Sequence, residues 1–229
     1  MKLEKISMTA KRRYDDACGA AHGLDLVGER WALLVMRELL MGPRRFGDLR
    51  ADLPGISANV LTQRLEGLEA AGILGRRKLP PPVSAQVYEL TAWGLESVPI
   101  FGALGRWAAR SPGHDPRLPL SAVSLMLSFG TMFDAGLAGR LAARIGFVIG
   151  RESYVVAIAD GRISVGRGAV EGVDVVFSGA ASAVAGVVYG GESLAGMVAS
   201  GALGLVGDRG VAARFVGLFP LPVKAGALA

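Results

Sequence analysis

The sequence predicts two domains: a mainly helical part over residues 1–112 and an α+β part over residues 120–229, joined by a linker at 113–119. Three observations carry this. Short apolar runs at helical spacing fill the first half, and the polar, Pro-rich stretch SPGHDPRLP then separates two apolar regions as a linker does. Beyond it, Gly- and Val-rich runs bounded by turn residues take on the texture of strands. Positive charge divides the same way. Residues 1–118 hold 17 Lys and Arg against 13 Asp and Glu, whereas residues 119–229 hold 8 against 7. A basic half beside a nearly neutral one suggests a polyanion-binding module joined to something else, with solvated surface charge as the competing reading.

Composition excludes several classes. With 51% hydrophobic residues in a chain of 229, the protein can bury a real core and is not a disordered chain. The longest segments free of charge, 118–133 and 175–191, are shorter than the roughly 18 to 20 apolar residues of a spanning helix, so no membrane insertion is expected. The N-terminus is charged without an apolar run behind it, and a single cysteine, Cys18, rules out an internal disulfide framework. Both suit the cytoplasm.

In chain order, residues 24–41 carry two apolar stripes on one expected helix, buried on most sides and stopped by Gly42-Pro43. Phe46, Leu49 and Leu53 mark a short second helix ended by Pro54-Gly55. Ser57 is the expected N-cap of a third helix running to Ala70, with Leu61, Leu65 and Leu68 on its inner face. On the opposite face fall Asn59, Thr62, Gln63 and Glu66. Asn and Gln can make paired hydrogen bonds to adenine in the major groove, and a Thr methyl can pack on thymine, so Ser57, Asn59, Thr62 and Gln63 are the candidate base-reading set. An ordinary solvated face would use the same residues.

Residues 74–90 read as strand, stiff Pro-rich loop and strand. The cations Arg76, Arg77 and Lys78 at its edge, with Arg44 and Arg45 ahead of the second helix, are the candidate phosphate contacts. Ile100, Phe101, Leu104 and Trp107 then form an apolar helical face over residues 93–110. It is too large for so small a domain to cover, which points to a second subunit or to the C-terminal half.

In the second half, residues 121–133 are expected to be helical, and 141–150, 154–159, 162–166, 173–178 and 204–206 to be strands, with Asp160-Gly161 as a tight hairpin turn. Helices are expected at 180–189, 194–200 and 208–219.

Two resemblances follow from these residues. DLVGERWALLVMRELLMGPRRFGDLRADLPGISANVLTQRLEGLEAAGIL, followed by VYELTAWG, resembles the HxlR-type winged helix-turn-helix transcriptional regulators over residues 15–110. That resemblance implies a homodimer built through terminal helices, double-stranded DNA as partner, a recognition helix at 57–70 and a wing at 74–90. Some members sense oxidants through a cysteine at the place of Cys18, although here Cys-Gly replaces the usual Cys-Pro and no second cysteine follows. Residues Lys11 to Arg13 or a helix N-terminus would lower its pKa; buried filler is the competing reading.

The stretches YVVAIADGRISVGRG, VDVVFSG, VVYGGESLAGMVASGALGLVGD and FVGLF resemble the sterol carrier protein 2 (SCP2) fold over residues 120–219. This implies a five-stranded sheet covered by helices around an apolar tunnel for lipid or another hydrophobic effector. Leu125, Phe129, Met132, Phe133, Phe147, Phe177, Tyr189, Leu194 and Met197 are its candidate lining; plain core and a collapsed tunnel are the alternatives.

His22 and His114 lack ligand-spaced partners, the Gly-rich pieces lack phosphate-loop order, and no acid/base pair stands out, so neither a metal, a cofactor nor an enzyme is expected. The sequence is thus read as an operator-binding regulator answering to a hydrophobic molecule. The competing reading is a lipid-binding carrier or interaction protein whose winged helix no longer binds specific DNA.

Overall fold

The computed structural model describes residues 14–82 and 84–226. The helical part opens with α1 (Gly19–Val27) and α2 (Ala32–Leu39), where one continuous helix over 24–41 was expected. The break has a local cause. Gly28 closes α1 by donating its N–H to the Leu24 carbonyl at 2.8 Å, and a Cβ there would lie 2.4 Å from that oxygen. Trp31 then takes a left-handed φ of 79°, which no helix interior accommodates. The turn cuts across both apolar stripes: α1 buries no residue, while α2 buries Val35, Met36 and Leu39.

Next come α3 (Phe46–Asp52) and α4 (Ala58–Ala70), then the antiparallel hairpin of β1 (Leu74–Lys78) and β2 (Gln86–Leu90), registered Leu74 to Leu90 and Lys78 to Gln86. Leu49, Leu61, Leu65 and Leu68 bring α3 and α4 into one core with α2. The apolar face expected over 93–110 is also divided, into α5 (Ala92–Leu95) and α6 (Val98–Ala109). Thr91 caps α5, accepting from Gly94 N at 3.0 Å while its own hydroxyl donates to the Gly72 carbonyl at 2.9 Å. A Cβ on Gly94 would meet the Ile73 carbonyl oxygen at 2.2 Å, so this contact requires glycine.

The α+β part contains α7 (Ala122–Met132), α8 (Ala135–Ala138), β3 (Ala143–Ile149), β4 (Glu152–Ala159), β5 (Arg162–Arg167), β6 (Val175–Gly179), α9 (Ala181–Tyr189), α10 (Leu194–Ala199), β7 (Leu203–Gly207) and α11 (Arg209–Val216). Its five strands lie in the order β5-β4-β3-β6-β7, with β3 and β6 parallel and the other pairs antiparallel. Asp160 and Gly161 both take positive φ, 51° and 68°, as the tight turn joining β4 and β5 requires. The one-turn α8 had no counterpart among the expected elements.

Most of the expected tunnel lining lies in the interior of this part. Leu125, Phe129, Met132, Phe147 and Phe177 are buried members of one core cluster. Phe129 meets Phe147, Phe215 and Phe219 at ring-centroid distances of 5.4, 5.2 and 4.8 Å, and Phe147 stacks on Phe177 at 5.3 Å. Phe215 and Phe219, part of the FVGLF stretch but not of the candidate lining, join the same cluster between sheet and helices. Phe133, Leu194 and Met197 are partly buried against the same cluster, and Tyr189 donates or accepts a hydrogen bond with Ser128 at 2.8 Å. Burial raises the Tyr189 phenol well above its ordinary value. Leu125, Phe129, Met132, Phe147 and Phe177 thus pack as core.

The two parts are tied together. Ala109 of α6 and Met41 join the core cluster of the α+β part, and Arg106 donates to the Thr131 carbonyl. Within the expected linker, Asp115 accepts from Arg117 N and Nε at 3.0 and 2.9 Å, which holds its carboxyl at about 2. The chain then returns from the far end: Lys224 Nζ donates to the carbonyls of Ala109, Ser111 and His114 at 3.1, 3.0 and 3.0 Å. A segment expected to belong to the second domain thus straps the linker. No helix among the described residues is long and apolar enough to cross a membrane.

Candidate nucleic-acid interface

Helix α4 owes its start to Ser57, whose Oγ accepts the Val60 N–H at 3.2 Å, and its seating to Leu61, Leu65 and Leu68. One helical face being anchored, Asn59, Thr62, Gln63 and Glu66 are left exposed on the other. Those are side chains able to read base edges from a helix laid in the major groove. Ser57 is exposed too, though its oxygen is engaged in the cap. Arg64, on the flank of α4, pairs with Glu29 at 3.1 Å and so fixes the helix to the turn after α1.

Beside α4 stands the β1/β2 hairpin. Arg76 pairs with Glu69 at 2.6 Å and Arg77 with Glu89 at 2.8 Å, yet both arginine side chains remain 47% and 46% exposed. Lys78 is exposed at the end of β1, and Arg45 is exposed at the N-cap of α3, where its N–H donates to Asp48 at 3.3 Å. These four cations keep access to phosphates, with two of them partly neutralised in place.

Arg44 departs from its expected role. Its backbone exchanges hydrogen bonds with Tyr88 of β2 at 2.9 and 2.8 Å, adding a bridge to the hairpin. Its side chain turns inward, 6% exposed, and pairs with Asp52 of α3 and with Glu152 of β4, 108 residues on. A guanidinium buried between two carboxylates does not reach DNA phosphates. The Glu152 carboxylate also accepts from Arg167 at 2.7 Å and from the Tyr154 hydroxyl. Burial opposes its ionisation, but Tyr154, Arg167 and Arg44 outweigh burial and hold it below the usual glutamate range. The same burial and the bond to Glu152 push the Tyr154 phenol up.

A cleft of about 680 Å³ opens beside this group, between α2, α3, the start of α7 and the β3–β4 turn. Glu38 of α2 lies nearby, fully buried, with Oε1 accepting from Ser121 Oγ at 2.8 Å and from Arg37 Nε at 2.8 Å, and with Oε2 unpartnered among the described residues. The expected residues included neither Glu38 nor Glu152. For Glu38 the only sequence signal is a carboxylate inside an apolar run.

Cys18 is exposed, not buried filler, because it precedes α1, a helix that buries nothing. The backbone N–H groups of Ala20 and Ala21 lower its thiol pKa, as a helix N-terminus does. The cations Lys11 to Arg13 lie outside the described residues.

The family model for HxlR-like helix-turn-helix proteins matches residues 26–115, which takes in α4 and the hairpin. A Bacillus subtilis (strain 168) HTH-type transcriptional regulator, YvaP, is 36% identical over 85 residues, 37% of this chain and 79% of the relative. The chain belongs to the HxlR-like helix-turn-helix family. An HTH-type transcriptional regulator of Synechocystis sp. (strain ATCC 27184 / PCC 6803 / Kazusa) is 42% identical over 87 residues, 38% of this chain, and the match spans 64% of that relative's length. Among solved structures, the reduced form of the transcriptional regulator YodB from B. subtilis is similar at 30% identity, covering 44% of this chain and 100% of that one, with a TM-score of 0.39. The HxlR-like match ends before α7, so α4 and the hairpin lie inside it and the five-stranded sheet lies beyond it.

Proposed function

We propose that the protein is a cytoplasmic transcription factor that binds an operator as a homodimer, with α4 as recognition helix and the β1/β2 hairpin as a phosphate-contacting wing. The carrying observation is the exposed set Asn59, Thr62 and Gln63 on a helix anchored by three buried leucines, beside Arg76, Arg77 and Lys78. A carrier has no need of that face.

Dimerisation is read from apolar surface that the chain leaves bare. Ile100, Leu104 and Trp107 of α6 are 56%, 41% and 73% exposed, and Trp93 and Leu24 are exposed as well. An apolar groove of about 250 Å³ runs between α1 and α6, lined by Leu26, Leu33, Trp93 and Ile100. Contiguous surface of this kind marks a protein partner, here a second copy. Two recognition helices about one DNA turn, ~34 Å, apart would then match a near-palindromic site. The α+β part is read as SCP2-like on its mixed five-stranded sheet and helical cover.

The test is substitution on operator DNA. Gln63→Ala or Asn59→Ala is expected to lower discrimination at particular base pairs by ~1 to 3 kcal/mol, read by competition with single-base operator variants. A Gln63 variant with unchanged base preference removes that residue from the reading set. Arg77→Ala is expected to weaken every sequence alike and to flatten the log-log salt dependence by about 0.9 for the lost phosphate contact. A slope identical to that of the unsubstituted protein would show that Glu89 keeps Arg77 from the DNA.

A further inference from the structure

The cleft beside Arg44 combines features that neither DNA binding nor core packing explains. At about 680 Å³ it has the size of a small-molecule site. Trp31, Leu34, Leu53, Leu120 and Ile149 give it apolar walls, contributed from both parts of the chain. Its polar groups are biased toward cations. Arg44, whose side chain is 6% exposed, lines the cleft, and its buried Nε has no partner among the described residues. Arg151, in the β3–β4 turn, also lines it and forms no ion pair among the described residues. Opposite lies the N-terminal turn of α7, an 11-residue helix capped by Ser121, whose Ala122 and Ser124 face the same space.

The cleft's two carboxylates, Asp52 and Glu152, are already held by Arg44, and Glu152 by Arg167 and Tyr154 as well. What remains open is donor capacity: a free guanidinium and a helix N-terminus, beside apolar wall, with the Arg44 guanidinium reached only in exchange for one of its carboxylates. We propose that this cleft binds a small amphipathic carboxylate, its head on Arg44, Arg151 and the start of α7 and its aromatic or aliphatic body on Trp31, Leu34 and Leu120. The proposal rests on the regulator reading only for its consequence: it moves the effector from the interior of the α+β part to the seam between the parts.

The consequence is mechanical. A ligand carboxylate competes with Glu152 for Arg44, and Arg44 is hydrogen-bonded through its backbone to Tyr88 of the wing hairpin. Occupancy therefore bears on the wing through a single residue. By linkage, DNA must alter ligand affinity by the factor with which ligand alters DNA affinity.

Calorimetric titration of the full chain with octanoate, phenylacetate and 4-phenylbutyrate tests the site, with 4-phenylbutan-1-ol as the uncharged match. At least one carboxylate is expected to bind with a Kd of about 1 mM or tighter, and the alcohol about tenfold more weakly than 4-phenylbutyrate. Arg151→Gln, at an exposed position, should weaken the carboxylates about tenfold and leave the alcohol unchanged. Leu34→Gln, at a position 39% exposed, should weaken both. Absence of binding by all three carboxylates, or binding that survives both substitutions, overturns the proposal. The titrations contain no DNA, so the two readings fail separately: a chain that binds carboxylates but no operator keeps the site and loses the regulator. The reverse result keeps the regulator and loses the site.

Discussion

Phe129→Ala is expected to destabilise the α+β part by about 3 to 5 kcal/mol. Phe129 is fully buried, with three other rings within 4.8 to 5.4 Å of its own, drawn from β3, α11 and the residues after it. Truncation removes the transfer energy of a whole ring and leaves a void walled by Phe147, Phe215 and Phe219. Those neighbours belong to a sheet and to a helix end fixed elsewhere, so they cannot all move in. The measurement is urea unfolding followed by the far-ultraviolet signal. If instead Phe129 lined an open tunnel, the ring would leave space already continuous with a cavity, and the loss would fall toward the transfer term alone, about 2 kcal/mol or less.

Arg44→Met is expected to cost about 2 to 3 kcal/mol at neutral pH, less than the loss of one partner from a fully buried pair because Asp52 and Glu152 are 29% and 26% exposed. Methionine keeps most of the volume, so the effect isolates the charge. Its pH dependence has a definite sign. The folded-state pKa of Glu152 lies below its ordinary 4.5, so the stabilisation this carboxylate contributes is present above the unfolded value. It is lost as pH falls through the folded one. The gap between Arg44→Met and the unsubstituted protein should therefore narrow at pH below 4.5, as Glu152 takes up its proton. A gap that stays constant into acid would show that Arg44 acts through packing and not through its ion pairs.

Much of the winged helix was legible because its causes are local. Leu61, Leu65 and Leu68 at helical spacing and Ser57 as a cap define α4, as Pro54-Gly55 ends α3 before it, without reference to distant residues, and they leave Asn59, Thr62 and Gln63 outward. Asp160-Gly161 defines its turn for the same reason. The split between α1 and α2 was harder to see, since a glycine inside an apolar run is tolerated in many helices; the left-handed turn at Trp31 is what decides it.

The two larger corrections are non-local. Arg44 reads as one of a basic pair beside a DNA-binding helix until Glu152 arrives from a strand 108 residues later. Periodicity likewise shows that Phe129, Phe147 and Phe177 turn inward, but whether the interior stays open depends on Phe215 and Phe219, carried by the last helix and the residues that follow it. A spacing argument gives the direction of a side chain. It does not give the volume available once every other element has arrived.

The most direct test of the regulator reading is fluorescence anisotropy on a duplex from upstream of the protein's own gene, beside a scrambled duplex of equal length, with salt titrated through both. The upstream duplex is expected to bind about a thousandfold tighter or more, and both affinities are expected to fall steeply as salt rises. Equal affinity for the two duplexes, or no binding to either at low salt, would contradict it.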